Sequence, residues 1–235
     1  MPRPRYPKHA GPPPPPLQPV TRTVGQLVAE TMKIYGANPW RSFLVGLSAA
    51  VVNVVVTELE RGAGLVFVLT AGAVLFTVAY VLAASVVHGV PLRDRHTLTA
   101  FAVGVIVFVP FPLFAALYIL PGLVWLSFVG LAVPAVMVEG IGVRAALRRG
   151  VELARADFVH VLGGLATLTL VVFLTQAAVF FLLREYADNS QRIAATLAYM
   201  VITPLIFLGA SLLYVDQAAR MGTTRAERDA MRHAG

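Results

Sequence analysis

The sequence predicts an all-α integral membrane protein: six transmembrane helices plus two interfacial amphipathic helices on the cytoplasmic side, with N and C termini inside. Three observations predict it. Of the 235 residues 57% are hydrophobic and only 13% charged, and the mean hydropathy of +0.75 exceeds what a water-soluble core requires. Charge-free runs occupy positions 42–57, 62–87, 97–138, 158–183 and 193–215. The basic residues then fall overwhelmingly on one side of whatever those runs cross.

The first 21 residues hold nine of the sixteen prolines, five of them consecutive at positions 12–16, and no apolar run. Without an apolar centre this is no secretory signal peptide. It reads as a disordered, Pro-rich basic tail whose prolines favour an extended polyproline II spacer. An amphipathic helix follows at 23–38. Thr23 and Gln26 have capping-box spacing, and Val24, Leu27, Val28, Thr31, Met32, Ile34 and Tyr35 share one arc opposite Gln26, Glu30 and Lys33. Asn38 and Pro39 end it.

The spans are expected at about 41–58, 62–87, 98–119, 122–138, 158–184 and 193–216. A crossing needs roughly 20 residues, so the first run, about 24 Å long as a helix, is short. The third run would be roughly 60 Å long as one helix and must fold back, with the break expected at Leu120, Pro121 and Gly122. Charge decides both questions. Six crossings place sixteen of the nineteen Lys and Arg on the side of the termini and only Arg61, Arg184 and Arg192 opposite. Dropping the first span, or merging the third and fourth, divides the nineteen ten to nine.

Between the fourth and fifth spans, positions 141–157 form a second amphipathic helix. Val143, Ala146, Leu147, Gly150, Val151, Leu153, Ala154 and Phe158 lie on one arc; Arg144, Arg148, Arg149, Glu152 and Arg155 lie on the other. Its apolar side suits the boundary between headgroups and acyl chains, its arginines the lipid phosphates. Arg148 with Glu152, and Glu152 with Arg155, have the spacing of helical ion pairs. A shift of 118 residues lays Tyr35 on Leu153 and Trp40 on Phe158, a weak internal repeat of interfacial helix followed by span. Residues 222–235 close the chain as a basic tail.

The net charge of +7 and pI near 10.2 are thereby explained by topology, without nucleic acid. No cysteine is present, so disulfides, thiolate metal sites and cysteine nucleophiles are excluded. His88 and His160 stand too far from other ligands to suggest a metal site. No catalytic constellation and no cofactor motif appears.

Polar residues within spans are costly and draw attention. Asn53, on a stripe with Ser42, Gly46, Ala49, Ala50 and Thr57, and Gln176 are expected to make interhelical polar contacts. Glu139 and Asp216 close the fourth and sixth spans and are expected to form a structural ion-pair cluster with Arg144, Arg148 and Arg220. Lys33, Arg41, Arg148, Arg149 and Arg155 are the candidate lipid-headgroup contacts. Prolines 110, 112, 134 and 204 interrupt spans. The expected partners are the bilayer, its anionic phospholipids, and another membrane protein.

The segments "YILPGLVWLSFVGLAVPAVMVEG", "RAALRRGVELARADFVHVLGGL" and "SLLYVDQAARMG" resemble the membrane domain that accompanies glycerophosphoryl diester phosphodiesterase in some bacteria and also occurs alone. The similarity covers about 24–221 and includes Tyr35, Pro121, Gly122, Glu139, the helix containing Leu147 and Leu153, Tyr214 and Asp216. Gly150 stands where that family commonly has serine, and Gln217 and Ala218 where basic residues are usual. The resemblance implies a multi-span membrane module without the soluble catalytic barrel. The expected function is a non-enzymatic scaffold or partner module of a bacterial cytoplasmic membrane, associated with anionic lipid. A small transporter or lipid-handling permease is the alternative.

Overall fold

The computed structural model describes residues 22–233; the Pro-rich tail expected at 1–21 lies outside the described residues, as do the last two. Among the described residues the chain is helical, with no strand, and six helices are long and apolar enough to cross a membrane. Helix α1 (Val24–Ala37) opens with the expected capping box: Gln26 donates its backbone N–H to Thr23 Oγ1, and Thr23 N donates to Gln26 Oε1 at 2.9 Å. Asn38 ends α1, and Pro39 starts α2 (Pro39–Glu58), the first candidate span, where a missing N–H costs nothing.

The second span runs Arg61–His88 as α3 (Arg61–Phe67), a π-helical turn at Val68–Gly72, and α4 (Ala73–His88), which ends on Gly89 at φ +67°. The third joins α5 (His96–Phe108) to α6 (Phe111–Leu117) across Pro110; the fourth joins α7 (Ile119–Val129) to α8 (Ala132–Glu139). The fold-back between them occurs at Tyr118, in extended conformation at φ −162°, and not at the expected Leu120 to Gly122. Pro121 sits in the first turn of α7, where no intrahelical N–H is required of it, so it helps start the fourth span instead of ending the third.

After Gly140 the chain enters α9 (Val143–Ala156), turns at Asp157, and continues as α10 (Phe158–Leu183), the fifth candidate span. The sixth span joins α11 (Asp188–Ile202) to α12 (Pro204–His233), so helix continues beyond 222, where a tail is expected. Pro204 has no N–H to offer the Met200 carbonyl. Gly46 of α2 packs against that carbonyl so closely that a Cβ there would stand 1.8 Å from the oxygen.

Helices α4 and α12 are central: α4 packs against α2, α5, α8 and α12, while α12 also packs against α1, α9 and α10. Tyr80, Phe108 and Phe207 join them in an aromatic cluster with ring centroids about 6 Å apart. Large apolar side chains such as Val66, Phe180, Phe181 and Leu197 stay exposed on these long apolar helices, a surface suited to hydrocarbon.

The centres of the two apolar arcs expected at the lipid boundary lie on protein, while Met32, Leu147 and Val151 at their edges stay exposed or half-buried. Leu27 and Thr31 of α1 are fully buried, and Leu27 touches α10 and Thr31 α12 near Gly164 and Gly209. Ala146, Gly150, Leu153 and Ala154 of α9 are buried, with Gly150 against Ala132 of α8. A Cβ on Gly150 would lie 3.0 Å from Ala132 N, so the small residue lets α9 lie tightly on the bundle. Burying an apolar arc against protein removes it from water as lipid would, and adds fixed packing partners. The starts of the two helix pairs are offset by 119 residues, where the sequence pattern suggests 118. Val24 falls on Val143, a shift of 119, and lays Leu27 on Ala146, Thr31 on Gly150, and Asn38 on Asp157, the turn residue before each span.

Candidate functional site

Polar side chains gather at the bundle end covered by α1 and α9. Asp216 of α12 is fully buried, and its Oδ1 lies 2.5 Å from Nη1 of Arg22, which the docking of α1 delivers there. His160 Nε2, two residues into α10, lies 3.6 Å from Asp216 Oδ2. One turn further along α12, Arg220 donates to Asp157 Oδ2 at 2.6 Å and to the Arg22 carbonyl at 3.1 Å. Asp157 also caps α10, its Oδ1 accepting from His160 N at 3.0 Å. Two carboxylates, two arginines and an imidazole thus fasten α1, the α9–α10 turn, α10 and α12 together. Gln217, also fully buried, has neither amide atom in a hydrogen bond.

A second network joins α4, α8, α9 and α12. Glu139 Oε1 accepts from Arg149 Nε at 2.8 Å and from Tyr214 OH at 2.9 Å. Arg149 Nη1 approaches Met221 Sδ at 3.0 Å. The Tyr214 ring meets His88 edge-on at 5.4 Å, and His88 Nε2 lies 3.0 Å from Ser211 Oγ.

Glu139 and Asp216 are therefore paired, as expected, but in two separate networks and with other partners. Arg149 takes Glu139 because it precedes the buried Gly150 by about 100° around α9 and stands at the flank of the packed arc. Arg144 and Arg148 are exposed, and Arg148 binds Glu152 at 2.8 Å, the expected helical pair. Glu152 is held by Arg148 and not by Arg155. Arg220 reaches Asp157, leaving Asp216 to Arg22 and His160. Of the proposed headgroup contacts, Arg149 is thus engaged internally, whereas Lys33, Arg41, Arg148 and Arg155 are exposed; Lys33 lies 3.8 Å from Glu30. Asn53 is half-buried on α2, and Gln176 half-buried on α10 has its Nε2 buried without a hydrogen-bond partner.

Sequence reasoning missed Arg22, Asp157 and His160. Asp157 carried a signal, since an aspartate directly before an apolar span is a helix cap. Arg22 carried none, because its partner lies 194 residues away.

The outward side of α9 forms a different feature. A groove of about 530 Å³ runs between α9 and α5/α7, floored by Ile106, Val107, Trp125, Val129, Leu147 and Val151 and rimmed by Arg148, Glu152 and Arg155. Trp125 is fixed in it, its indole N–H donating to the Val107 carbonyl at 2.8 Å and its ring stacked on Phe114 at 5.1 Å. A second niche of about 440 Å³ places Arg41 beside Leu44, Leu82 and Leu92. An apolar floor beside guanidinium groups suits an amphiphile with an anionic end. Comparison with protein-family models, curated proteins and solved structures finds no match for this chain.

Proposed function

We propose that this protein is a non-enzymatic, multi-pass scaffold module of a bacterial cytoplasmic membrane that holds anionic phospholipid at its cytoplasmic face. The observation that carries the reading is the α9 groove, where Arg148 and Arg155 border a floor of aliphatic carbon and the Trp125 ring. Phosphate charge meets the guanidinium groups, and an acyl chain continues along the floor. Each basic residue near an anionic surface contributes about 1 kcal/mol, with Glu152 offsetting part of the Arg148 share.

Sidedness rests on the sixteen-to-three distribution of Lys and Arg. The contacts agree with an even number of crossings. Arg22 meets Asp216 at one end of the bundle, while Glu58 at the end of the first span meets Arg192 near the start of the sixth at 3.0 Å. The resemblance to the membrane domain found with glycerophosphoryl diester phosphodiesterase points the same way, toward a membrane module and a partner protein.

The chain has two tryptophans, so Trp40→Phe leaves Trp125 as a single reporter inside the groove. In vesicles, dibrominated phosphatidylglycerol is expected to quench it more strongly than dibrominated phosphatidylcholine at equal mole fraction. Arg148→Ala with Arg155→Ala is expected to abolish the difference. Equal quenching by both lipids in the parent protein sinks the proposal.

A further inference from the structure

A cavity of about 300 Å³ lies within the bundle, beside the middle and later turns of α10, and has no charged residue in its lining. Four features set it apart from ordinary packing gaps. Its walls are largely hydrocarbon and aromatic, with Phe76, Phe108 and Phe207 from three spans facing Leu123 and Phe173. Its volume is at the lower bound of small-molecule sites, which run from about 300 to 1,000 Å³.

Two interrupted spans border it. Phe111 begins α6 just after the Pro110 break, Thr203 is the joint between α11 and α12, and both line the cavity. Interrupted backbone at such depth is tolerated where it is enclosed by protein or lines a cavity. The fourth feature is Gln176, a polar side chain in this lining whose Nε2 is buried without a hydrogen-bond partner. A donor left unmet in apolar surroundings is costly, and an acceptor oxygen brought by a ligand removes that cost.

The most exposed lining residues are Phe173 of α10, at 63%, and Ile119 of α7, at 58%. They mark the side where the cavity meets the apolar surface of the spans, so an occupant enters from the lipid phase. Length along α10 places Gln176 about 8 Å beyond that helix's midpoint. We propose that this cavity binds one acyl chain of a bilayer lipid, drawn inward by about 7 Å from the edge of the hydrocarbon so that its ester carbonyl accepts a hydrogen bond from Gln176 Nε2. The site is separate from the α9 groove and does not depend on headgroup charge.

The test uses the full chain reconstituted in vesicles of zwitterionic phosphatidylcholine, a fraction of it bearing a diazirine midway along one acyl chain. After irradiation and digestion, adducts are expected at least fivefold enriched on Leu123, Val172 and Gln176 over the exposed surface residues Leu174, Phe180 and Phe181. Thr169→Phe, which fills the cavity, is expected to remove the enrichment. Gln176→Leu keeps the shape and removes the donor, and is expected to lower the enrichment about fivefold in a protein whose thermal transition shows it folded. It serves as the deciding variant if Thr169→Phe does not fold. Adducts spread evenly over cavity and surface residues, or enrichment unchanged in Gln176→Leu, overturn the proposal.

Discussion

Arg22→Ala is the most demanding perturbation of this fold. It removes the direct ion-pair partner of Asp216, a carboxylate with no exposure, and cuts the side-chain tether between the start of α1 and α12. The remaining cation candidate, His160, stands 3.6 Å away, too far for a direct hydrogen bond. Removing one member of a buried pair costs about 3–5 kcal/mol, because the other charge is left uncompensated in a low dielectric. The unfolding constant is expected to rise roughly 10²- to 10⁴-fold. The control is Arg192→Ala: the Arg192–Glu58 pair has side chains 67% and 64% exposed, and its loss is expected to cost under about 1 kcal/mol. Replacing both partners, Arg22→Met with Asp216→Leu, is expected to recover most of the loss. Equilibrium unfolding in mixed micelles, followed by circular dichroism, measures all four proteins. If Arg22→Ala proves no more destabilising than Arg192→Ala, the buried network is not what closes this end of the bundle.

Gly46→Ala is expected to destabilise by roughly 1–3 kcal/mol, since its Cβ would stand 1.8 Å from the Met200 carbonyl oxygen, whereas Gly36→Ala, with nothing within 4 Å, is expected to be neutral or slightly stabilising in the same unfolding assay. Trp125→Phe deprives the Val107 carbonyl of its indole donor and is expected to cost about 1–3 kcal/mol, with Trp125→His retaining part of the stability if it can still donate. Because the chain has no cysteine, single Arg148→Cys and Arg192→Cys variants report sidedness directly. A membrane-impermeant maleimide applied to intact spheroplasts is expected to label position 192 and to spare position 148 until the membrane is opened; the reverse pattern refutes the orientation.

The span count was legible because it depends on local facts. In an apolar surrounding each backbone N–H and C=O is satisfied within its own helix, so length and apolarity of a segment decide whether it can cross. The runs at 42–57 and 97–138 became one and two candidate spans by this reasoning, and the helices Pro39–Glu58, His96–Leu117 and Ile119–Glu139 match. The capping box at Thr23 was legible for the same reason, its two hydrogen bonds closing over three residues. The fold-back missed by about two residues because proline is read both as a helix end and as a helix start, and only the position of Tyr118 decides between them.

The candidate site divides along the same line. That Glu139 and Asp216 need cations follows from their depth in apolar segments. Which cations they find does not, because Arg149 and Arg22 are brought to them by how α9 and α1 lie on the bundle.

By itself, then, the sequence determined six long apolar helices and the two shorter ones that cover one end of them, since periodicity and segment length act within a few turns of chain. The tertiary structure decided that the amphipathic helices turn their apolar arcs to protein, that Arg148 and Arg155 border a groove, and that Gln176 faces a cavity. Those outcomes depend on shape matching between segments far apart in the chain, as where Gly150 admits α8 or Gly46 admits the Met200 carbonyl, and no periodicity records such a fit.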